Sequence, residues 1–308
     1  MKIVFMGTPD FSVPCLERLV SDGEEVVGVF TQPDKPKGRG YEMAFSPVKE
    51  CAIKHNIPVF QPKSMKDGEA LKIMETLNPD LTIVVAYGKI LPKEILYFPK
   101  YNSINIHASL LPAYRGAAPS QWSILNGEKV TGVTSMLMNE GLDTGDILKT
   151  EKTPIYDNDN LETLHDRLAQ MGSKLLWETI CDAEAEKLTP VKQKETDATY
   201  AAKIEKADCI IDFNKSAKEV FNKIRALSPA PLAFTKLNGK TVKIISAEEE
   251  NIKGRPGEVT SIDDGKIHVA CAQGGIAIQK LIPEGKGRMS AADFIRGRKV
   301  AAGDIMGK

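Results

Sequence analysis

Residues 81–86 read Leu-Thr-Ile-Val-Val-Ala, a nearly unbroken apolar run with no alternation. A strand with one wet face alternates apolar and polar residues. A run this short, flanked by helical pattern, reads as a strand covered on both faces of a parallel sheet. The same signature recurs around Ile104 to Ile106, at Lys2 to Met6 and from Glu25 to Thr31. Between the first and second of these strands along the chain, the spacing predicts a helix over Ser12 to Asp22. Leu16, Leu19 and Val20 lie on one face of it, and Gly23 closes it. Ser46-Pro47 starts another helix, with serine as cap and proline at the first helical position. Strands alternating with helices in this way build a doubly wound α/β domain.

Further along, Leu161 to Ala183 forms a long helix capped by Asn160. Leu161, Leu164, Leu168, Met171, Leu175 and Ile180 recur at helical spacing on its packing face. His165 on this helix reads as a surface or boundary histidine. After Leu188 the character changes. Thr189 to Lys206 is polar and lysine-rich, and short strands in pairs follow. Asn238-Gly239 separates Phe234–Leu237 from Thr241–Ile245, the strongest two-residue hairpin signal. Asp263-Asp264-Gly265 separates Val259–Ile262 from Lys266–Ala270, and Ile276–Ile282 follows Gly274-Gly275. Closely spaced short strands suggest a small barrel. The expected fold class is therefore α/β, a doubly wound Rossmann-like parallel sheet followed by a small OB-like C-terminal β-barrel. The expected domains are residues 1–188, a linker at 189–206, and 207–308.

The chain has 308 residues, 42% hydrophobic and 27% charged, which excludes disorder as the dominant state. No apolar run approaches the ~18 residues of a membrane span, and the run ending at Gly7-Thr8-Pro9 is too short for a signal peptide. A cytoplasmic location and no membrane association are expected. The cysteines, Cys15, Cys51, Cys181, Cys209 and Cys271, are odd in number and far apart, which disfavours a disulfide framework. His55, His107, His165 and His268 are scattered too, so the sequence shows no metal cluster and a metal-free protein is expected. The 41 basic and 41 acidic residues cancel overall. From Ala207 onward, however, 17 basic residues face 12 acidic ones, against 24 and 29 in the remainder. That asymmetry suggests a polyanionic partner for the C-terminal part.

The first strand-to-helix turn, Gly7-Thr8-Pro9-Asp10-Phe11-Ser12, lacks the Gly-x-Gly-x-x-Gly pattern, and nothing resembles a Walker loop. Conventional dinucleotide or nucleoside-triphosphate binding is therefore disfavoured. The informative stretch is Asn102 to Asp146. Asn105 and His107 alternate on one face of a strand at its carboxyl end, where open α/β sheets place their sites. Asp143 follows in Gly141-Leu142-Asp143-Thr144-Gly145-Asp146. An amide, an imidazole and a distant carboxylate suit acyl-group transfer. The first two donate to a developing oxyanion, and the carboxylate orients the imidazole or accepts a proton.

Taken together, Asn105-Ile106-His107, Ser109-Leu110-Leu111-Pro112, Tyr114-Arg115-Gly116-Ala117-Ala118-Pro119 and Asp143 in its Gly-Leu-Asp-x-Gly context closely resemble the signature of the 10-formyltetrahydrofolate-dependent formyltransferases. The resemblance covers nearly the whole chain. Its two-domain layout and the opening Gly7-Thr8-Pro9-Asp10-Phe11 are similar to the members whose acceptor is initiator methionyl-tRNA. The resemblance implies Asn105, His107 and Asp143 as catalytic residues, and 10-formyltetrahydrofolate as formyl donor. Ser109, Leu110, Leu111 and Pro112 would contact the folate, mainly through backbone groups, with part of the pterin pocket around Val84 to Gly88. It also implies that the Thr31 to Gly40 loop reaches the tRNA acceptor end. Lys35, Lys37 and Arg39 there would contact phosphate, from a loop that two prolines and two glycines keep non-helical. The C-terminal part offers Lys206, Lys223, Arg225, Lys286, Arg288, Arg296 and Arg298 to the RNA backbone. Leu232 stands where such relatives commonly have glycine. A monomer is expected, since one chain would carry both catalytic and RNA-binding parts. The alternative acceptor is an amino-sugar nucleotide, against which the Pro33 to Gly40 sequence argues. A single-domain member acting on glycinamide ribonucleotide would leave the C-terminal third unexplained. An RNA-binding protein on a decayed scaffold is disfavoured by the intact Asn105, His107 and Asp143.

Overall fold

The computed structural model describes residues 1–37 and 42–307. It divides into two units, of which the first comprises Met1–Pro119, Val130–Pro154 and His165–Ala201. Strands β1 (Lys2–Gly7), β2 (Glu25–Phe30), β5 (Val59–Phe60), β6 (Leu81–Val85) and β7 (Ser103–His107) run parallel. Two shorter strands, β3 (Lys35–Lys37) and β4 (Glu42–Ala44), form a separate antiparallel ribbon. Every residue of β6 and β7 is buried; β6 is accordingly apolar with hardly a break, whereas β7 alternates Ser103, Asn105 and His107 with two isoleucines. Ile3, Val4, Phe5 and Met6 of β1 are wholly buried as well, each such side chain contributing about 1.5–3 kcal/mol relative to exposure.

Helices α1 (Val13–Ser21), α2 (Pro47–Lys54), α3 (Glu69–Leu77) and α4 (Lys93–Leu96) connect these strands. Ser46 caps α2 by accepting from the Lys49 N–H at 3.1 Å, with Pro47 at the first helical position. Cys15, Leu16 and Leu19 are the buried face of α1. A second strand pair joins the short β8 (Arg115–Gly116) to β11 (Tyr200–Ala201). The residues read as a linker thus hold a strand paired into this unit.

The sheet is mostly parallel, not wholly so. Beyond β7 lie β9 (Val130–Leu137) and β10 (Ile147–Pro154), giving the order β10-β9-β7-β6-β1-β2-β5. Strand β9 runs antiparallel to β7, and β10 antiparallel to β9. A nine-residue connection (138–146) is too short for a parallel crossover and so forces the antiparallel arrangement of β9 and β10. The helices α5 (Pro119–Leu125) and α6 (Leu161–Glu184) complete the N-terminal pattern. Leu164, Leu168, Leu175 and Ile180 of α6 are buried, and the Asn160 side chain accepts from the Thr163 N–H at 2.9 Å. Among the described residues no helix is long and apolar enough to cross a membrane.

The second unit comprises Ser120–Lys129, Ile155–Leu164 and Ala202–Lys308. Helix α7 (Ala217–Ala226) starts on a reciprocal capping box between Ser216 and Glu219. Strands β12 (Ala233–Leu237), β13 (Lys240–Glu250), β14 (Val259–Asp263), β15 (Lys266–Ala270) and β16 (Gly275–Pro283) form an antiparallel sheet ordered β12-β13-β16-β15-β14. The short β17 (Met289–Ser290) pairs with β16, and α8 (Ala291–Arg296) follows. The two edges of this sheet meet through the C-terminal segment. Met306 bridges Leu237 at the end of β12, and Ile305 bridges Glu258 beside β14. The Met306 N–H donates to the Gly257 carbonyl at 2.7 Å, and the Gly307 N–H to the Lys236 carbonyl at 2.8 Å. This closure satisfies edge groups that an open sheet leaves bare.

Two positions in this unit depart from expectation. Leu232 has φ +76°, a region costly to a side chain with a Cβ. Its side chain is buried, so packing offsets the strain. Arg225 is not a surface cation. It is 7% exposed, and its guanidinium donates to Asn222 Oδ1 and to the carbonyls of Tyr156 and Asp159. A charge desolvated this far needs all of those acceptors and is not available to RNA. Lys286, Arg288, Arg296 and Arg298 are exposed, as is Lys206.

Met306 lies in the core of the second unit and is 2% exposed. Met306→Ala is expected to cost about 2–4 kcal/mol by urea denaturation, and to lower the unfolding midpoint of this unit.

Candidate active site

Asn105 and His107 project from the same face of β7, two residues apart in register with Met136 and Thr134 of β9. Both are nearly buried, at 8% and 7% exposure. His107 Nε2 lies 2.9 Å from the Tyr114 carbonyl. A carbonyl only accepts, so that nitrogen carries a hydrogen. The other ring nitrogen, Nδ1, faces Asp143 Oδ2 at 3.7 Å. Among the described residues the Asn105 amide has no side-chain hydrogen-bond partner, which leaves its two N–H groups for a ligand.

Asp143 reaches this position by an indirect route. Leu137, the last residue of β9, opposes Ile104 near the start of β7. The connection at 138–146 therefore travels back along β7, roughly 10 Å at about 3.3 Å per residue, to bring Asp143 to His107. Three features hold it there. The Gly116 N–H donates to Asp143 Oδ2 at 2.8 Å. The Leu137 N–H donates to the Asp146 carbonyl at 2.9 Å, pinching the loop's base. At Gly145 a Cβ would lie 1.6 Å from the Leu137 carbonyl oxygen, so no other residue fits.

Ser109 to Pro112 follows β7 directly and is braced from β9. Thr134 Oγ1 donates to the Ser109 carbonyl at 2.7 Å and accepts from the Leu111 N–H at 3.1 Å. Ser109 Oγ donates to the Ala113 carbonyl at 2.6 Å, so this hydroxyl is spent on the turn. The Val84 to Gly88 segment leaves β6 beside Asn105, to which Val84 is paired. Ala86 and Gly88 have positive φ. The turn is pinned by Ser12 Oγ on the Val85 carbonyl at 2.6 Å, and by Thr8 Oγ1 and Gln32 Nε2 on the Tyr87 carbonyl, each at 3.1 Å. Thus Asn105, His107, Asp143 and the 109–112 turn are brought to one place in the first unit.

Of the loop residues expected to meet RNA, Lys35 is exposed on β3. Arg39 and the side chain of Lys37 lie outside the described residues. The base of this loop is clamped. Lys49 Nζ pairs with Asp34 and donates to Gln61 Oε1 at 3.0 Å, while Gln61 Nε2 donates to Asp34 Oδ1 at 2.9 Å. Lys49 and Gln61 together hold the Asp34 carboxyl below its usual range.

The structure also assembles a group the sequence did not suggest. Glu17, Cys51 and His55 place their donor atoms within 4.8 Å of one another. Glu17 is already engaged, accepting from Lys54 at 3.0 Å and lying 2.8 Å from His55 Nε2. Burial pushes the Cys51 thiol up to about 12, so without a ligand it stays protonated at neutral pH.

Sequence reasoning missed Arg115, Gln193 and Glu195. The Arg115 side chain has no exposure. It donates to Gln193 Oε1 from Nε and Nη2 at 3.1 and 2.9 Å, and to both Glu195 oxygens at 2.8 and 3.0 Å. The guanidinium holds the Glu195 carboxyl below its usual range. The available signal was a Tyr-Arg-Gly beside the site with no acid in its own loop. Its partners lie about 80 residues later, in a stretch whose composition resembles a linker.

Known proteins resemble this chain along its whole length. Residues 1–180 match the family model described as formyl transferase, and residues 203–299 match that of the formyl transferase C-terminal domain. A methionyl-tRNA formyltransferase of Citrifermentans bemidjiense is 46% identical over 308 residues, covering 100% of this chain and 97% of its own length. One of Bacillus subtilis is 46% identical over 309 residues, covering 99% of this chain and 98% of its own. Among solved structures, HypX from Aquifex aeolicus in complex with tetrahydrofolic acid superposes with a TM-score of 0.66 at 20% identity. That match covers 96% of this chain and 47% of HypX, and at this identity it speaks for the fold.

Gly145→Ala must displace the Leu137 carbonyl or the loop carrying Asp143. A destabilisation of about 1–3 kcal/mol is expected by thermal denaturation. Gly287→Ala, where nothing lies within 4 Å of an added Cβ, is expected to change stability by less than about 0.5 kcal/mol.

Proposed function

The chain belongs to the formyl transferase family, and from that premise we propose that it moves the formyl group of 10-formyltetrahydrofolate onto the α-amino group of methionyl initiator tRNA. The product is N-formylmethionyl-tRNA for translation initiation. The observation that carries this reading is full-length identity of 46% to relatives named methionyl-tRNA formyltransferase. An amino-sugar nucleotide is the disfavoured acceptor, because the 46% identity over the whole chain is to relatives named methionyl-tRNA formyltransferase.

The residues of β7 and its loops suit the reaction. The α-amino nitrogen attacks the formyl carbon, its new C–N bond forming as the carbonyl oxygen takes up negative charge. Asn105 offers unclaimed amide hydrogens to that oxyanion. His107 gives its Nε2 hydrogen to Tyr114, so its hydrogen bond to the oxyanion is donated from Nδ1, on the side where Asp143 lies. Gly116 occupies Asp143 Oδ2, which leaves Oδ1 to take the proton lost by the attacking ammonium, directly or through water. The carbon–nitrogen bond to the folate then breaks. Its nitrogen takes up a proton, and tetrahydrofolate leaves. Ser109, Leu110, Leu111 and Pro112 would meet the folate through backbone groups, since the Ser109 hydroxyl is already used. No metal is required by this sequence of steps.

For the RNA, Lys35, Lys37 and Arg39 are assigned to phosphates near the acceptor end. The exposed cations of the C-terminal part, Lys206, Lys286, Arg288, Arg296 and Arg298, are assigned to the backbone beyond. On this reading residues 1–188 act as the catalytic domain, 189–206 connect, and 207–308 form the tRNA-binding domain. One copy of the chain is then sufficient, working in the cytoplasm.

The assay is formyl transfer from 10-formyltetrahydrofolate to charged initiator tRNA, with amino-sugar nucleotides as competing acceptors. Formylation of the tRNA is expected, with kcat lowered roughly 10²–10⁴-fold in His107→Ala and Asp143→Asn. Transfer to the sugar nucleotide alone would overturn the RNA acceptor while keeping the chemistry. Binding of the tRNA should weaken steeply with salt, with a log–log slope of about −0.7 to −0.9 per phosphate contacted. A flat response would remove the basic C-terminal surface from the interface.

A further inference from the structure

We infer that Gln193 is a positioning residue for formyl transfer, holding the backbone of Asp143 through its side-chain amide. This rests on the reading of Asp143 given above.

Asp143 has φ +52°, the left-handed region, which aspartate enters more readily than most side chains but still at some cost. Gln193 supplies the restraint. Both hydrogens of its Nε2 are used, one on the Asp143 carbonyl at 2.8 Å and one on the Gly145 carbonyl at 2.7 Å. Its Oε1 accepts from Arg115 Nε and Nη2, so the amide cannot flip without setting its NH₂ against a guanidinium. Gln193 is itself anchored two residues upstream, where Val191 and Ile147 exchange backbone hydrogen bonds of 2.8 Å in each direction.

The bonds form a closed ring. Arg115 holds Gln193, Gln193 holds the Asp143 backbone, and the Asp143 carboxylate accepts from the N–H of Gly116, the neighbour of Arg115. The segment 191–201 closes the ring from outside. It pairs with Ile147 at one end, and with Arg115–Gly116 through Tyr200–Ala201 at the other. It therefore ties the loop after β7 to the loop after β9. Only an amide of this length fits the central place. A carboxylate accepts from the guanidinium but offers no hydrogen to the two carbonyls. Lysine and arginine offer hydrogens but no acceptor. Asparagine is one methylene short.

Gln193→Glu separates positioning from structure, because it keeps an acceptor for Arg115 and removes the two donors to the loop. The protein is the full chain, assayed with 10-formyltetrahydrofolate and charged initiator tRNA. Deuterium uptake is followed by mass spectrometry in peptides spanning 139–147 and 113–118. Faster uptake in both peptides is expected. With it should come a kcat lowered roughly 10²-fold at nearly unchanged KM for both substrates and an unchanged melting temperature. Unchanged uptake overturns the positioning role, whatever the turnover. Faster uptake with wild-type kcat overturns its relevance to catalysis. Faster uptake in a protein whose wild type formylates no tRNA supports the restraint and rejects the assigned reaction.

Discussion

Arg115 carries a guanidinium with no solvent exposure, and a charge so placed is tolerated only if its N–H groups find acceptors in fixed geometry. Glu195 and Gln193 meet that demand, and in doing so they bring a stretch far along the chain against the two loops that flank β7. Several features of the site follow from this demand. The short pair of β8 with β11 lies directly beside Arg115. The Asp143 loop is folded back along β7, and the Gly116 N–H is aimed at the Asp143 carboxylate. The ion pair itself contributes little as isolated energy, because Glu195 is largely exposed. Its importance is geometric.

Strand β7 is the other fixed element. Its burial on both faces leaves Asn105 and His107 no freedom except at the open end of the sheet, and β6 and β9 hold its register on both sides. The His107 ring is oriented by a backbone carbonyl at Nε2, so its remaining nitrogen points to where the carboxylate arrives. The ring is thus held in place without a ligand, as the proposed electrostatic role requires.

The second unit solves a different problem. A small antiparallel sheet exposes two edges, and here the C-terminal segment covers both by pairing with β12 and with the start of β14. Its basic balance is a property of exposed side chains, but composition alone overstates it. Arg225 is committed to the carbonyls of Tyr156 and Asp159 and to Asn222, and the same sequence signal cannot separate it from Arg288 or Arg298. Leu232 shows the converse, a residue that local propensity rejects and packing retains.

Much of the molecule was legible in order of residues alone. The apolar runs at Lys2–Met6 and Leu81–Ala86, short and flanked by helical pattern, read as buried parallel strands. The Ser46 cap, the face of α6 and the Asn238-Gly239 hairpin are local effects, set by interactions a few residues apart. Asn105, His107 and Asp143 were readable as a set because their motifs together resemble those of the formyltransferases; strand alternation by itself only places the first two on one face. The antiparallel pair β9–β10 was not readable, since an edge strand such as Ile147–Pro154 is polar on its open face and gives no strong period. Nor was the role of 189–206, where a lysine-rich, polar composition reads as a linker. What only the tertiary structure decided is which distant groups satisfy one another: Arg115 with Gln193 and Glu195, the Gln193 amide with the Asp143 loop, and the C-terminus with two sheet edges. Those pairings depend on desolvated polar groups finding partners across roughly 50 to 80 residues of chain, and no local rule of spacing or propensity encodes them.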